Sequence, residues 1–359
     1  MRFRKSPLFF ASVFLLAVSC SRDSNGVGPG TDSGERVPIE EGYLPIIEKC
    51  LWSGNKPAAY TVSFDDSRPS HYQLAGPALT ERGMKGTFFI NTRNIGDNWS
   101  GWIELATQGH ELASHTYSHP KLTELTEEQQ RAELERAIDD IRGHIPGLKS
   151  VVSFAYPYGL YNDQIRHLVR EYHMAARGGW GLNAATLSDE ELTLVHGTGV
   201  YPPYDMAVIA AAVDKAVREK AWIMVYFHSV SASGDSTNEI IPLPRYLRHL
   251  DDVKGRSDSL WIATMGEVAG YMRLRRDAAV QIHQTGRETL DIALANLQGF
   301  YADFVPLTIR LKLPQNWSGL EIVAVCGESR PPIRRESADV IYIDVPVSEK
   351  ILLTARKSH

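Results

Sequence analysis

"AYTVSFDDSRPSHY" occupies positions 59–72, and its reading decides that of the rest of the chain. It begins as an apolar run with the look of a buried strand and ends in two adjacent carboxylates, Asp65 and Asp66. Like charges side by side at the end of such a strand are unfavourable unless a cation, a shared proton or divergence into water offsets them. Similar short runs recur at "KGTFFIN" (85–91), "HELASH" (110–115), "VVSFAY" (151–156), "HMAAR" (173–177), "WIMVYFH" (222–228) and "WIAT" (261–264). Most are largely apolar, as strands covered on both faces are. Helical segments lie between them. In 126–145, Leu134, Ile138 and Ile141 recur at helical spacing behind a Thr126 cap. Strand–helix alternation implies an α/β fold with a parallel sheet, open or closed into a barrel, and functional loops at the strands' C-terminal ends.

After Arg276 the period changes. "LTIRLKL" (307–313) alternates apolar and polar residues, and "EIVAVC" and "DVIYIDVPV" follow between turns rich in Gly and Pro. This is the pattern of a small C-terminal all-β sandwich. The other end reads differently again. "MRFRKSPLFFASVFLLAVSC" has basic residues, then a short apolar run, then small residues up to Cys20, the order of a secretory signal. "AVSC" resembles a bacterial lipobox, which implies a lipid anchor on Cys20 and an exported lipoprotein at the cell envelope or surface. The expected organisation is a signal peptide over 1–19, a flexible linker over 20–42, the barrel over 43–276 and the sandwich over 277–359. A formal net charge of -5 argues against a nucleic-acid partner. Cys50 and Cys326 stand in no recognisable site motif, and a disulfide between them is possible in an exported protein but unsupported.

The strand ends collect the unusual residues. Asp65 and Asp66 end the first, "SHTYSH" places His115 and His119 four apart after the third, "YPYG" (156–159) ends the fourth, and "FHS" puts His228 after "WIMVY". In a parallel α/β fold these exits share one face. Two imidazoles four apart, with Pro120 forcing a turn, bind a cation if their ring nitrogens approach within roughly 3–3.5 Å. One aspartate would complete a two-histidine, one-carboxylate set, and the other would be left to accept a proton.

"SFDD", "SHTYSH", "YPYG" and "FHS", in this order, resemble the polysaccharide deacetylases of the NodB-homology type, carbohydrate esterase family 4. The resemblance covers roughly residues 58–271 and implies a distorted (β/α) barrel. It also implies a metal-dependent hydrolase that removes N- or O-linked acetyl groups from a polysaccharide or oligosaccharide. The divalent metal would be zinc, with cobalt or nickel as the other candidates. By the same resemblance Asp65 is the catalytic base, Asp66, His115 and His119 are the metal ligands, Tyr158 offers its backbone N–H to the oxyanion, and His228 protonates the leaving group. Pro157 shapes the Tyr158 turn.

The departures are specific. Ser67 follows the aspartates where the family has glycine, and Tyr226 replaces the leucine two before the last histidine. Ala155 stands where the family's third motif carries the arginine that pairs with the base. Arg177, at the fifth strand exit, is the expected substitute, and Trp180 beside it a candidate for the acetyl pocket. No aspartate in "ARGGWGLN" (176–183) is available to partner His228. The sequence leaves two rivals: an O-acetyl esterase of the xylan type, and a glycan-binding lipoprotein with little or no turnover.

Overall fold

The computed structural model describes residues 45–201, 206–233, 239–286, 288–297, 305–347 and 349–356. The signal segment, Cys20 and the linker lie outside these residues. Among the described residues no helix is long and apolar enough to cross a membrane.

The first strand, β1 (Ile46–Lys49), precedes the seven strands of a closed parallel barrel: β2 (Ala58–Asp65), β3 (Thr87–Ile90), β4 (Glu111–Ser114), β5 (Ser153–Ala155), β6 (Ala175–Trp180), β7 (Val195–Gly199) and β8 (Trp222–Phe227). β8 returns to β2 with Ala59 opposite Trp222 and Phe64 opposite Phe227, which closes the ring. The other edge of β2 is shared. Leu260–Ile262 pairs with its first residues and β3 with its last, so the barrel is splayed at one end and wedged open by an eighth strand. That sharing is the distortion.

β2 is buried along its whole length, as its unbroken apolar run demands. Alternation sorts its side chains. Tyr60, Val62 and Phe64 pack outward in the larger core with Ile209, Val213, Tyr246 and Leu250 of the surrounding helices. Ala59 instead joins Phe89, Ala113, Ala155, Ala175, Trp222 and Met224 in a second core, the barrel interior. Asp65 shares the inward parity. Its carboxylate therefore stands at the barrel's C-terminal mouth, not in solvent.

The helix Glu127–His144 begins at a Thr126 cap, where the threonine side chain accepts from the Gln129 N–H and Gln129 reaches back. Strand β7, "VHGTG", was not among the strands read from sequence, because two glycines and a histidine mask its period.

The C-terminal region forms two four-stranded antiparallel sheets around a shared core that includes Leu290, Ile292, Leu307, Ile309, Ile341, Ile343 and Leu353. Sequence alternation revealed some of these strands, but not Ala279–Gly286, Thr289–Ala295 or Ile351–Arg356. β1 pairs antiparallel with Leu307–Lys312, so a segment expected in the barrel covers an edge of the sandwich instead. The helix Met265–Asp277 joins the two bodies. Met265, Val268 and Met272 pack into the barrel, while Tyr271 and Leu274 pack into the sandwich.

Candidate active site

The loop after β2 turns on two left-handed residues, Asp66 (φ 77°) and Ser67 (φ 53°). Left-handed geometry explains why glycine suits the second position; here Ser67 holds it by donating its hydroxyl to the Asn91 carbonyl at 3.0 Å. Thr116 (φ 66°), His119 (φ 61°) and Tyr158 (φ 60°) are left-handed as well. Five of the eight non-glycine residues with positive φ among those described thus lie on the loops at this barrel mouth. Strain concentrated in one place is the mark of a functional site.

Those turns bring three donors together. Asp66 Oδ1 lies 3.3 Å from His119 Nε2 and 3.6 Å from His115 Nε2, and the two imidazole nitrogens are 3.1 Å apart. His115 donates its Nδ1–H to the Ala155 carbonyl at 2.8 Å, which fixes the tautomer and leaves Nε2 as a bare lone pair. Burial, the largest influence, pulls the His115 imidazole well below its ordinary range and keeps it neutral. A carboxylate and two imidazole nitrogens within 4.8 Å of one another are a donor set for a divalent cation, and their separations fit one.

The loop carrying His119 is clamped from the helix behind it. Glu133 accepts from the Ser118 N–H at 2.7 Å and the Ser118 hydroxyl at 2.6 Å, and its own carbonyl accepts from the Tyr117 N–H. Nothing in the sequence singled out Glu133. Its contribution is expected to show as a loss of metal affinity of about 10–100-fold in Glu133→Ala, measured by competition with a chromophoric chelator. An unchanged affinity would mean that the His119 loop holds itself.

Asp65 is fully enclosed by a second arrangement. Arg177, on β6, donates Nη2–H to Asp65 Oδ2, and the two side chains are 8% and 5% exposed. Burial alone would raise the Asp65 carboxyl, but the Arg177 guanidinium beside it outweighs that and holds it below the ordinary carboxylate range. Its second oxygen, Oδ1, is buried without a hydrogen-bond partner. One oxygen is anchored; the other is free to accept a proton. The register explains how β6 supplies the arginine: Ala155 of β5 pairs directly with Arg177, so the cation sits one strand over at the same height.

Tyr158 is 62% exposed on the short turn 157–159, its ring 4.6 Å from that of His119, and Pro157 beneath it is buried. Trp180 ends β6 with 66% of its surface exposed, 6.0 Å from the Tyr226 ring. His228 follows β8; its Nδ1 is buried without a partner, in keeping with the missing aspartate. Its backbone carbonyl accepts from His71 Nε2 at 2.7 Å, and His71 is packed among Phe64, Phe88 and Trp102. His71 follows the "SFDD" motif by five residues, but nothing in the linear order connects it with His228.

Residues 54–176 match the sequence profile of the family described as polysaccharide deacetylase. A chitin deacetylase of Arthroderma benhamiae is 32% identical over 137 residues, covering 36% of this chain and 35% of that protein. A gellan lyase of a Bacillus species is 24% identical over 302 residues, 76% of this chain but 12% of the relative. A family 4 carbohydrate esterase from Streptomyces lividans, solved in complex with acetate, aligns with a TM-score of 0.41 at 20% identity over 57% of this chain and 91% of its own. The chain spans only a minor part of the length of the two curated relatives. Over residues 54–176, from just before β2 to the start of β6, the chain is similar to the polysaccharide deacetylases.

Proposed function

We propose that this chain removes acetyl groups from an acetylated polysaccharide or oligosaccharide. The observation that carries the reading is the convergence of Asp66, His115 and His119 beside the anchored carboxylate of Asp65. A divalent cation held by Asp66, His115 and His119 would supply Lewis-acid chemistry, polarising the acetyl carbonyl and acidifying water. The chain's own groups do the rest. Asp65, kept ionised by Arg177, takes the proton of the attacking water on its free Oδ1. The Tyr158 backbone N–H, presented by its left-handed turn, donates to the oxygen that gains charge. His228 gives a proton to the sugar nitrogen or oxygen as acetate departs. Trp180, exposed beside the mouth, lines the acyl end of the substrate. Zinc suits two imidazoles and a carboxylate with positions left open, and cobalt or nickel accept the same donors.

The signal segment and Cys20 support export and a lipid anchor as part of the same proposal; mass spectrometry of the mature N-terminus tests it. The activity is tested by acetate release from N-acetylglucosamine oligomers and from acetylated xylan, with and without a chelator. Release that stops on chelation and returns with zinc is the expected result, and the better substrate separates N- from O-deacetylation. Metal-loaded protein that binds glycan yet frees no acetate from any of them would make this a binding protein.

A further inference from the structure

We propose that Tyr226 is a positioning residue that holds Arg177 against Asp65, and that β7 gave up two side chains to admit it. The proposal rests on the deacetylase reading for its kinetic consequence, but not for its geometry. Arg177 arises from β6, one strand away from the position where the resembled family places its arginine, and it must be aimed across the mouth of the barrel. Hydrogen bonding does not aim it fully: Nη2–H reaches Asp65, whereas Nε–H is buried with no partner. Aromatic faces supply the remainder. The Arg177 guanidinium carbon lies 4.1 Å from the centroid of the Tyr226 ring and 5.4 Å from that of Phe89. A cation over an aromatic face in a desolvated site is held by the ring quadrupole.

The space for this stack comes from β7. A Cβ at Gly197 would stand 3.0 Å from Arg177 Cδ and 3.2 Å from Tyr226 Cδ1, and one at Gly199 only 2.7 Å from Tyr226 Oη. Gly199 pairs in register with Tyr226, so its missing side chain is what the tyrosine ring replaces. Leucine at 226 would offer no face to a cation. Three unusual features, Ala155 without its arginine, tyrosine at 226 and the "GTG" of β7, thereby become one device.

The test uses the metal-loaded full chain with Tyr226→Leu and Tyr226→Phe, each alone and combined with Arg177→Ala. Tyr226→Leu is expected to lower kcat about tenfold with KM changed less than about twofold, and Tyr226→Phe, which keeps the ring face, to recover most of the loss. In the Arg177→Ala background Tyr226→Leu should cost nothing further. An equal loss in both backgrounds, or a loss carried by KM, overturns the proposal. A second arm needs no turnover. The Arg177 Nε–H correlation in 15N–1H spectra, sharp in the wild type, should broaden or exchange in Tyr226→Leu and persist in Tyr226→Phe; a signal indifferent to both changes also overturns it. If the wild type releases no acetate, the deacetylase reading falls while this arm still decides the role of Tyr226. Should Tyr226→Leu not fold, Tyr226→Met, closer in volume, carries the same measurements.

Discussion

Replacing Asp65 by asparagine is expected to lower kcat for acetate release by about 10²–10⁴-fold, the contribution of a positioned acid or base. Asparagine keeps the shape and one oxygen, but cannot take a proton from water. The proposed metal donors Asp66, His115 and His119 are untouched, so zinc affinity measured by calorimetry should stay near that of the wild type. Stability should not. Arg177 is 8% exposed in its side chain and would lose its counter-charge. A buried charge left unpaired costs about 3–5 kcal/mol, so the unfolding midpoint should drop clearly. Asp65→Asn that keeps full turnover would remove Asp65 from the chemistry.

The second large effect is expected at His119. His119→Asn is the informative change, because asparagine tolerates the left-handed conformation that His119 adopts at φ 61° while removing the imidazole. The fold and the loop turn should survive. With one of three donors gone, zinc affinity should fall by more than the roughly 10–100-fold that follows from disturbing a supporting group, and acetate release should fall to background at ordinary zinc concentrations. Calorimetric titration with zinc and acetate assay across a zinc series check both. Full activity in His119→Asn at trace zinc would show that the cation, if needed, sits elsewhere.

Much of the barrel was legible because strands buried on both faces announce themselves as unbroken apolar runs, as β2, β3 and β8 do. β7 was not, since its glycines serve the neighbouring side chains and leave no period to read. The three residues of the candidate metal set could be picked out because Asp66, His115 and His119 belong to short motifs at strand ends. Their left-handed backbone was foreshadowed only by the glycine expected after Asp66. Arg177 could be nominated by position. What joins it to Asp65 is lateral register between β5 and β6, a relation between strands that no linear spacing records. Glu133 and His71 were invisible for a similar reason, as each acts on a distant segment through a single hydrogen-bonding surface.

The pairing of β1 with Leu307–Lys312 carries a topological consequence. Because β1 precedes the barrel in the chain and its sheet partners follow it, the sandwich is the host and the barrel is the insert. No single cut in the sequence separates them. A truncation after Asp277 would leave β1 as an orphan edge and strip the cover from Tyr271 and Leu274, whereas excising the barrel between Lys49 and Ala279 would leave both sheets but take Tyr271 and Leu274 out of the host's core, so a clean excision must keep the second half of the helix Met265–Asp277. Modular swaps in this protein should therefore exchange the insert, with the host kept whole.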